Sequence, residues 1–340
     1  MISLTQPGKF SAFNAAPLRQ NLKRTVKRFI ISFTDTNTIM INKTAKGVLL
    51  VLSGAISYGI LATIVKYSNG LGMHTGVLVF MQYLVGAIVL SIITGMKQNK
   101  TADFKPTSKS KLKLVMFGTS VGLTSCLYYM SIQYVPVSVG IVLLMQSIWM
   151  GVVLEFILTR KPVATTKILA AVITIFGTVL ASDVLFQDAE ISWTGIMWGF
   201  AAAAAYTLSL YASSHIEKEV QSFVRSKYLI TGGLIAVILF WNVDIVNNFN
   251  TINILVSGVV LALFGTVLPP LLFTKGIPYI GLGLASILIS VEIPVSIMSA
   301  QLVLGEQVSL VQWLGVCIIF FSIVLANLKT IKESRQETPG

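Results

Sequence analysis

The sequence predicts an all-α integral membrane protein of about ten transmembrane helices, arranged as two five-helix repeats of inverted topology. Composition, charge-free apolar stretches and an internal repeat predict this fold class. Of the 340 residues, 54% are apolar and only 11% are charged, with a mean hydropathy of +0.81, whereas soluble domains carry about 25% charged residues. A helix needs roughly 20 apolar residues to cross a hydrocarbon core of about 30 Å. A chain of this length and composition can therefore cross a bilayer many times.

Ten apolar stretches have the length of a membrane-spanning helix. Two longer apolar regions must be divided, because each is too long for one crossing. We expect Gln133, Tyr134 and Pro136 to form a polar, helix-breaking corner in the first region. Lys275, Gly276 and Pro278 are expected to form a tight turn in the second. The expected spans are 47–65, 76–95, 113–132, 138–158, 164–182, 193–213, 226–242, 253–274, 280–303 and 309–328.

The charged residues alternate between the loops that join these spans. With a cytoplasmic N-terminus, every basic residue except Lys66 falls on the cytoplasmic side, and the opposite loops are acidic or neutral. Short cytoplasmic loops retain Lys and Arg, so we expect a multi-pass protein of the cell membrane with both termini in the cytoplasm. The net charge of +12 is then an orientation signal with some attraction to anionic lipid, and no nucleic-acid partner is expected.

An internal repeat appears when the sequence is shifted by 145 residues, which aligns residues 131–182 with 276–327 without a gap. The first spans of the halves also match around Tyr58 and Tyr206. Because each half has an odd number of spans, the second half must enter the membrane in the opposite sense. The expected organisation is a mobile cytoplasmic tail at 1–45, a first repeat at 46–182, an external loop at 183–192, a second repeat at 193–328 and a cytoplasmic tail at 329–340.

The segment ASILISVEIPVSIMSAQLVLGEQVSLVQWLGV resembles the EamA family of the drug/metabolite transporter superfamily, and the resemblance extends through most of residues 47–328. That family often shows a Glu-Pro pair in this span and a Gly-Glu pair before the last one. Glu292 and Gly305-Glu306 keep the arrangement, although the proline is displaced to Pro294 and the first repeat has Arg160-Lys161 in place of Gly-Glu. The resemblance implies a secondary transporter that moves a small metabolite, such as an amino acid or an amine, often outward and by alternating access.

Glu292 is the first candidate for a transport residue, because an ionised group at mid-membrane costs about 2.5–3.5 kcal/mol on insertion scales and needs a polar partner. It could bind a substrate ammonium or exchange a coupling proton, and a structural carboxyl between helices is the alternative. Other polar and phenolic side chains at membrane depth could line the substrate pathway or simply pack helices together. These are Gln146, Ser147, Gln82, Tyr58, Tyr206, Tyr128 and Tyr129.

Three prolines, Pro294, Pro269 and Pro270, lie inside predicted spans. Proline removes a backbone donor and bends or breaks a helix, and broken helices in membranes face the protein interior. We therefore expect helix breaks at these positions, with a plain packing kink as the alternative at Pro294.

Candidate gate residues lie near the span ends. Glu155, Lys66 and Glu306 are charged, and Glu155 is close in sequence to Arg160 and Lys161, which suggests either a gate ion pair or an interfacial carboxylate.

Small residues in the predicted spans indicate surfaces on which helices pack closely. These are Gly118, Gly122 and Ala201–Ala205.

No cofactor or metal site is expected, because the chain has only Cys126 and Cys317, both in apolar runs, and only two histidines. It has no HExxH motif and no pair of core aspartates, so an intramembrane enzyme is a distant alternative. A flippase for lipids or lipid-linked sugars with the same fold is a nearer one. A channel or scaffold would need neither the buried charge nor the inverted design. Substrate identity and oligomeric state leave no signature in the sequence.

Overall fold

A computed structural model describes residues 16–98, 106–135, 137–181, 192–248, 252–305 and 308–336. The chain divides into two units, residues 1–43 and 44–340. The described part of the first unit, expected as a mobile tail, is helical. The expected external loop lies largely outside the described ranges, and the described part of the expected C-terminal tail, residues 329–336, continues the last helix. The helices are α1 Ala16–Gly70, α2 Thr75–Gln98, α3 Ser108–Tyr134, α4 Val137–Leu144, α5 Ser147–Thr159, α6 Thr165–Ala181, α7 Trp193–His215, α8 Ser222–Asn248, α9 Ile252–Leu261, a π-helical segment Ala262–Val267, α10 Leu268–Ile280, α11 Leu282–Ile289, α12 Glu292–Leu304 and α13 Leu310–Gln336.

The described ranges are helical and contain no strand, as the composition predicts. Eight stretches among them are long and apolar enough to cross a membrane. Two further apolar helices, Thr165–Ala181 and Leu310–Leu325, are shorter, so a total of ten spans stays a prediction. The eight are Lys43–Gly70, Thr75–Met96, Ser108–Tyr134, Gly140–Thr159, Trp193–His215, Ser222–Val243, Leu255–Ile280 and Leu282–Leu304.

The turn expected at Lys275, Gly276 and Pro278 is wrong, because α10 continues through all three to Ile280. The chain turns instead at Gly281, whose φ of 81° is in the left-handed region that favours glycine. Pro278 is tolerated in the last turn of α10 because the carbonyl that it leaves without a donor, that of Thr274, accepts a hydrogen bond from Arg225 Nη1 at 3.0 Å. At the other expected corner, α3 continues through Gln133 to Tyr134, and Pro136 lies outside the described residues.

Each repeat contains one membrane span that is interrupted at the same place. In the first repeat the fourth span breaks between α4 and α5, where the Gln146 amide bonds to the Leu143 carbonyl three residues back. In the second repeat the span Leu282–Leu304 breaks between α11 and α12, where the Val291 amide bonds to the Leu288 carbonyl. Both pairs are related by the shift of 145 residues read from the sequence. The internal repeat therefore extends to the local backbone.

The ends of these spans also correspond. Arg160 after α5 and Gly305 after α12 both adopt positive φ, at 52° and 70°, and they too are related by the shift of 145 residues. Arg160 pays a steric cost there that Gly305 avoids, since an L side chain is disfavoured in the left-handed region. The shared backbone turn shows that fold symmetry persists where the side chain has changed.

Helices α6 and α13 are equivalent in the two repeats and pack against each other in opposite directions. A Cβ built on Gly177 would lie 3.0 Å from the Gly315 carbonyl oxygen, and the hydroxyls of Thr174 and Ser322 are hydrogen-bonded. Residue numbers therefore increase along α6 in the direction in which they decrease along α13, so the two helices are antiparallel. This is the relation that an inverted repeat requires.

Glycines allow α3 and α8 to pack closely across the repeat interface, as the small residues of α3 predict. A Cβ built on Gly118 would lie 2.2 Å from the Leu229 carbonyl oxygen, and one on Gly122 equally near that of Gly233. Side chains at either position would separate the helices.

At one end of the bundle, Lys113 Nζ lies 3.8 Å from Glu217 Oε1. The start of α3 and the end of α7 therefore lie on the same side of the protein.

Candidate functional site

A cavity of about 520 Å³ lies between the two repeats. Its walls come from α1, α2, α3, α4 and α6 of the first repeat and from α7, α12 and α13 of the second. The lining includes Lys66 and Asn69, which are exposed at the end of α1, and Leu304 at the end of α12. The cavity therefore reaches the surface at this end of the bundle, which we call the Lys66 end.

Glu292 lines this cavity directly after the break between α11 and α12. It is the first residue of α12, where the partial positive charge of a helix N-terminus stabilises a carboxylate. The Tyr206 hydroxyl donates a hydrogen bond to its Oε2 at 3.4 Å. Gly59 lets α1 approach the break, since a Cβ built there would lie 2.7 Å from both the Glu292 carbonyl oxygen and Val295 Cβ.

Five phenols line the cavity around this carboxylate: Tyr58, Tyr83, Tyr128, Tyr129 and Tyr206. The rings of Tyr58 and Tyr206, one from each repeat, meet edge to face with centroids 6.4 Å apart. Those of Tyr128 and Tyr129 are 5.7 Å apart. Tyr83 is fixed by donating to the Val121 carbonyl at 2.8 Å. Tyrosine faces attract cations, so phenols and a carboxylate together suit a positively charged group.

On the side of the phenols away from the Lys66 end, the cavity is closed. Phe273 is buried and its ring lies 5.7 Å from that of Tyr58. Gly54 accommodates the ring, since a Cβ there would lie 2.5 Å from it. Contacts between α1 and α10 continue at Gly47, where a Cβ would lie 2.8 Å from Ile280. This floor separates the cavity from the end of the bundle opposite to Lys66.

At that opposite end, which we call the Glu155 end, Glu155 makes an ion pair with Lys167 at 3.2 Å. The partner is not Arg160 or Lys161, which adjoin Glu155 in sequence, because α5 ends before them and the start of α6 returns alongside it. Both side chains are mostly buried, 15% exposed for Glu155 and 18% for Lys167. The carboxylate occupies space left by glycines of the other repeat.

The three candidate gate residues therefore do not form one gate. Lys66 lines the open end of the cavity, Glu155 lies at the other end, and Glu306 lies outside the described residues. Two glycines mark the place of the Glu155 carboxylate, since a Cβ built on Gly281 or Gly283 would lie 2.6 or 2.2 Å from its oxygens.

Residues 45–183 and 193–328 each match the model of the EamA-like transporter family. The chain belongs to this family. The two matched segments confirm the two-repeat architecture, and the family resemblance seen in the sequence is correct.

Individual relatives agree with this EamA assignment. The chain is 27% identical over 297 residues to the uncharacterized inner membrane transporter YicL of Salmonella typhimurium, which covers 86% of this chain and 98% of that one. It is 24% identical over 245 residues to the threonine/homoserine exporter RhtA of the same species, covering 69% of this chain and 78% of that one. A solved crystal structure superposes with a TM-score of 0.70 at 13% identity, over 83% of this chain and 98% of that one. The family and the named relatives are membrane transporters.

Six of the eight predicted pathway residues line this cavity, namely Glu292, Gln82, Tyr58, Tyr206, Tyr128 and Tyr129. Gln146 and Ser147 are not among its lining residues. Gln146 instead holds the break in the fourth span, donating to the Val142 carbonyl at 3.0 Å and accepting from Trp149 Nε1 at 2.9 Å. Trp149 is 39% exposed, so this amide is directed away from the cavity. Ser147 is buried.

The predicted proline breaks are displaced. Pro294 lies in the first turn of α12, after the break, where a missing N–H costs little. Pro269 and Pro270 begin α10, and the irregular backbone is the π-helical segment before them. Neither proline can donate to the carbonyls of that segment, and the Ser57 hydroxyl donates to one of them, Phe264, at 2.7 Å.

The π-helical segment also positions Gln82. A Cβ on Gly265 would lie 2.3 Å from Gln82 Nε2, and Thr266 donates to the Gln82 carbonyl at 2.9 Å. The π-helical segment therefore packs against the Gln82 side-chain amide where that amide borders the cavity.

Arg225 is the main residue that sequence reasoning missed. The expected spans 193–213 and 226–242 put Arg225 in a cytoplasmic loop, yet it is 2% exposed. Its guanidinium donates to four carbonyl oxygens, those of Ala212, Ser213, Ile216 and Thr274. It thereby joins the C-terminal end of α7 to α10. The available signal was Pro278, which creates the unpaired carbonyl that an interior donor must satisfy.

Proposed function

We propose that this protein is a secondary transporter that exports a small metabolite carrying an ammonium group, an amine or an amino acid, by alternating access. The observation that carries the proposal is Glu292, set at a helix break and surrounded by phenols inside a cavity between two repeats. Transporters of inverted-repeat design bind substrate near the midplane at such broken helices.

The charge of the cavity favours an ammonium group. Among the described residues that line it, Glu292 is the sole acidic side chain, and the sole basic one, Lys66, is at the exposed end of the cavity. An ammonium bound at Glu292 would lie beside the rings of Tyr58 and Tyr206. A cation within about 6 Å of such a ring gains roughly 0.5–2 kcal/mol.

The size of the cavity agrees with a metabolite. Its volume of about 520 Å³ lies within the roughly 300–1,000 Å³ range of small-molecule sites. The relative RhtA is named an exporter of threonine and homoserine, both of which carry an ammonium group. That relationship supports the amino-acid branch of the proposal.

The described conformation is taken to be outward-facing. The predicted topology puts basic loops in the cytoplasm and Lys66 outside, and the cavity reaches the surface at the Lys66 end. Export then requires a second conformation, open at the Glu155 end, that loads substrate from the cytoplasm. A proton that competes with the ammonium for Glu292 would couple the cycle to a proton gradient.

Transport by purified protein in proteoliposomes tests the proposal. A panel of labelled amines, amino acids and neutral sugars should show uptake or exchange of ammonium-bearing compounds alone. Glu292→Gln should abolish it, because a neutral amide cannot pair with an ammonium. Glu219→Gln, which removes the same charge from an exposed loop, is the matched control. Full transport by Glu292→Gln, or transport of the sugars alone, would refute the proposal.

A further inference from the structure

We infer that the cavity closes at its Lys66 end when α12 packs onto α4, with Ser296 and Ile297 meeting the face of α4 that carries Ile141. This gate is the symmetry-related counterpart of the contact between the two repeats that helps to close the Glu155 end. The inference rests on the alternating access proposed above, and it names the surfaces that alternate.

The existing contact is between α5 of the first repeat and α11 of the second. A Cβ built on Gly151 would lie 2.8 Å from Ser286 Cβ, and one on Gly283 would lie 3.7 Å from Val152 Cα. Further along, the Glu155 carboxylate lies against Gly281. Helices α5 and α11 therefore run antiparallel in close contact, and this crossing helps to close the Glu155 end.

The repeat relation converts this contact into a prediction for the other end. A shift of 145 residues takes Gly151 to Ser296, Val152 to Ile297 and, in reverse, Ser286 to Ile141. All three counterparts line the cavity. The surfaces that would meet by symmetry are thus the ones that face the open space.

The α12 side of this gate is a continuous stripe. Ile293, Ser296, Ile297, Ala300 and Leu304 line the cavity at helical spacing. Met298, Leu302 and Val303 lie on the same helix but are exposed and do not line the cavity. One face of α12 is therefore available to meet α4, and the opposite face offers matched controls.

The two gates are not equivalent in chemistry. The same shift takes Glu155 to Ala300 and Lys167 to Gln312, and both counterparts line the cavity. The gate at the Glu155 end therefore has an ion pair where the gate at the Lys66 end has neutral side chains. Ser296 is also larger than Gly151, so the second gate closes at a wider helix separation. The ion pair and the closer helix packing therefore favour the conformation described here, in which the Glu155 end is closed and the Lys66 end is open.

Paired cysteines in a background without Cys126 and Cys317 test the gate in membranes. Oxidation should cross-link the pair I141C/S296C, because the closed gate brings the two residues within the Cα separation of roughly 4.4–6.8 Å that a disulfide needs. The pair I141C/M298C, whose second cysteine is on the exposed face of α12, should cross-link at least about tenfold more slowly for the same reason. The pair T174C/S322C, whose hydroxyls are hydrogen-bonded in the structure, should cross-link rapidly and serves as the positive control.

Substitutions in either gate should change the rate at which I141C/S296C cross-links. Glu155→Gln removes the ion pair from the Glu155 end and should speed cross-linking of I141C/S296C. Grafting the pair with A300E and Q312K should speed it further by stabilising closure at the Lys66 end. If the double-cysteine protein does not accumulate, the single variant S296C gives a second readout. Its labelling by a water-soluble maleimide should fall in the grafted background, while that of M298C stays unchanged.

The inference is overturned if I141C/S296C transports substrate but never cross-links while T174C/S322C does, or if it cross-links no faster than I141C/M298C. Unchanged labelling of S296C in the grafted background would also overturn it. A wild-type protein that transports no compound of the panel would refute the proposed function instead, and the cross-linking would still report whether the gate closes.

Discussion

Arg225 Nη1 donates to the carbonyl oxygen of Thr274 at 3.0 Å. This bond replaces the backbone hydrogen bond that Pro278 cannot make, and it explains how α10 continues to Gly281. The same guanidinium caps the last carbonyls of α7, where the partial negative charge of a helix C-terminus favours a cation. One buried side chain therefore fixes two helices of the second repeat.

Replacing Arg225 by Met should lower the thermal midpoint of the detergent-purified protein sharply. The variant keeps the apolar stem but removes the guanidinium donor from the Ser213, Ile216 and Thr274 carbonyls, at a cost of roughly 1–3 kcal/mol for each one that water does not reach. The fourth carbonyl, that of Ala212, still accepts from the Ile216 N–H. Lys218→Met, which removes an exposed cation, should leave the midpoint almost unchanged.

Adding Pro278→Ala to Arg225→Met should restore part of the lost stability. The alanine supplies the backbone N–H that the Thr274 carbonyl lacks, whereas Pro278→Ala alone should change the midpoint little because Arg225 already bonds that carbonyl. Strictly additive effects of the two substitutions would show that Arg225 and Pro278 are not coupled through Thr274.

The helical fold and the two repeats could be predicted from the sequence, because each depends on composition or on a regular spacing. Glu292 could be singled out because it is an acidic residue inside an apolar stretch. Side-chain direction was harder. A helix surrounded by lipid and other helices is apolar on all sides, so no amphipathic pattern shows which face meets the cavity. Gln146 and Ser147 were therefore assigned to the pathway, whereas one bonds to Val142 and Trp149 and the other is buried. The partner of Glu155 likewise depends on where α6 returns.

Gly59→Val should abolish transport. A Cβ at this position would lie 2.7 Å from the Glu292 carbonyl oxygen, which is backbone and cannot rotate aside, so α1 must move away from the helix break. Overpacking of this kind costs about 1–3 kcal/mol and would also displace Glu292. Gly70→Val is the matched control on the same helix, since a Cβ there meets nothing within 4 Å. Equal transport rates in the two variants would contradict the assigned role of Gly59.

Tyr206→Phe should raise KM for an ammonium substrate while leaving the maximal rate nearly unchanged. The hydroxyl makes one long hydrogen bond, 3.4 Å, to Glu292, and loss of a bond worth about 0.5–1 kcal/mol corresponds to roughly a two- to fivefold change in KM. The ring remains, so its contact with Tyr58 is kept. Initial rates in proteoliposomes measure both constants, with Tyr279→Phe, an exposed phenol, as the control. A loss of all transport would mean that the hydroxyl does more than orient the carboxylate.

Pro294→Ala should retain the helix break and most of the transport activity. The first repeat breaks at the corresponding place with Trp149 where the second has Pro294, so proline is not required for the interruption. In α12 it occupies the first turn, where its missing N–H is one of the groups that a helix leaves unpaired anyway. Transport within about twofold of wild type is the expected result, since only the fixed φ of proline is lost. Amide hydrogen exchange of Val291 and Ile293 should stay similar, because both already bond three residues back, to Leu288 and Ser290. Strong new protection there, together with lost transport, would show that alanine lets α11 and α12 fuse and that Pro294 maintains the break.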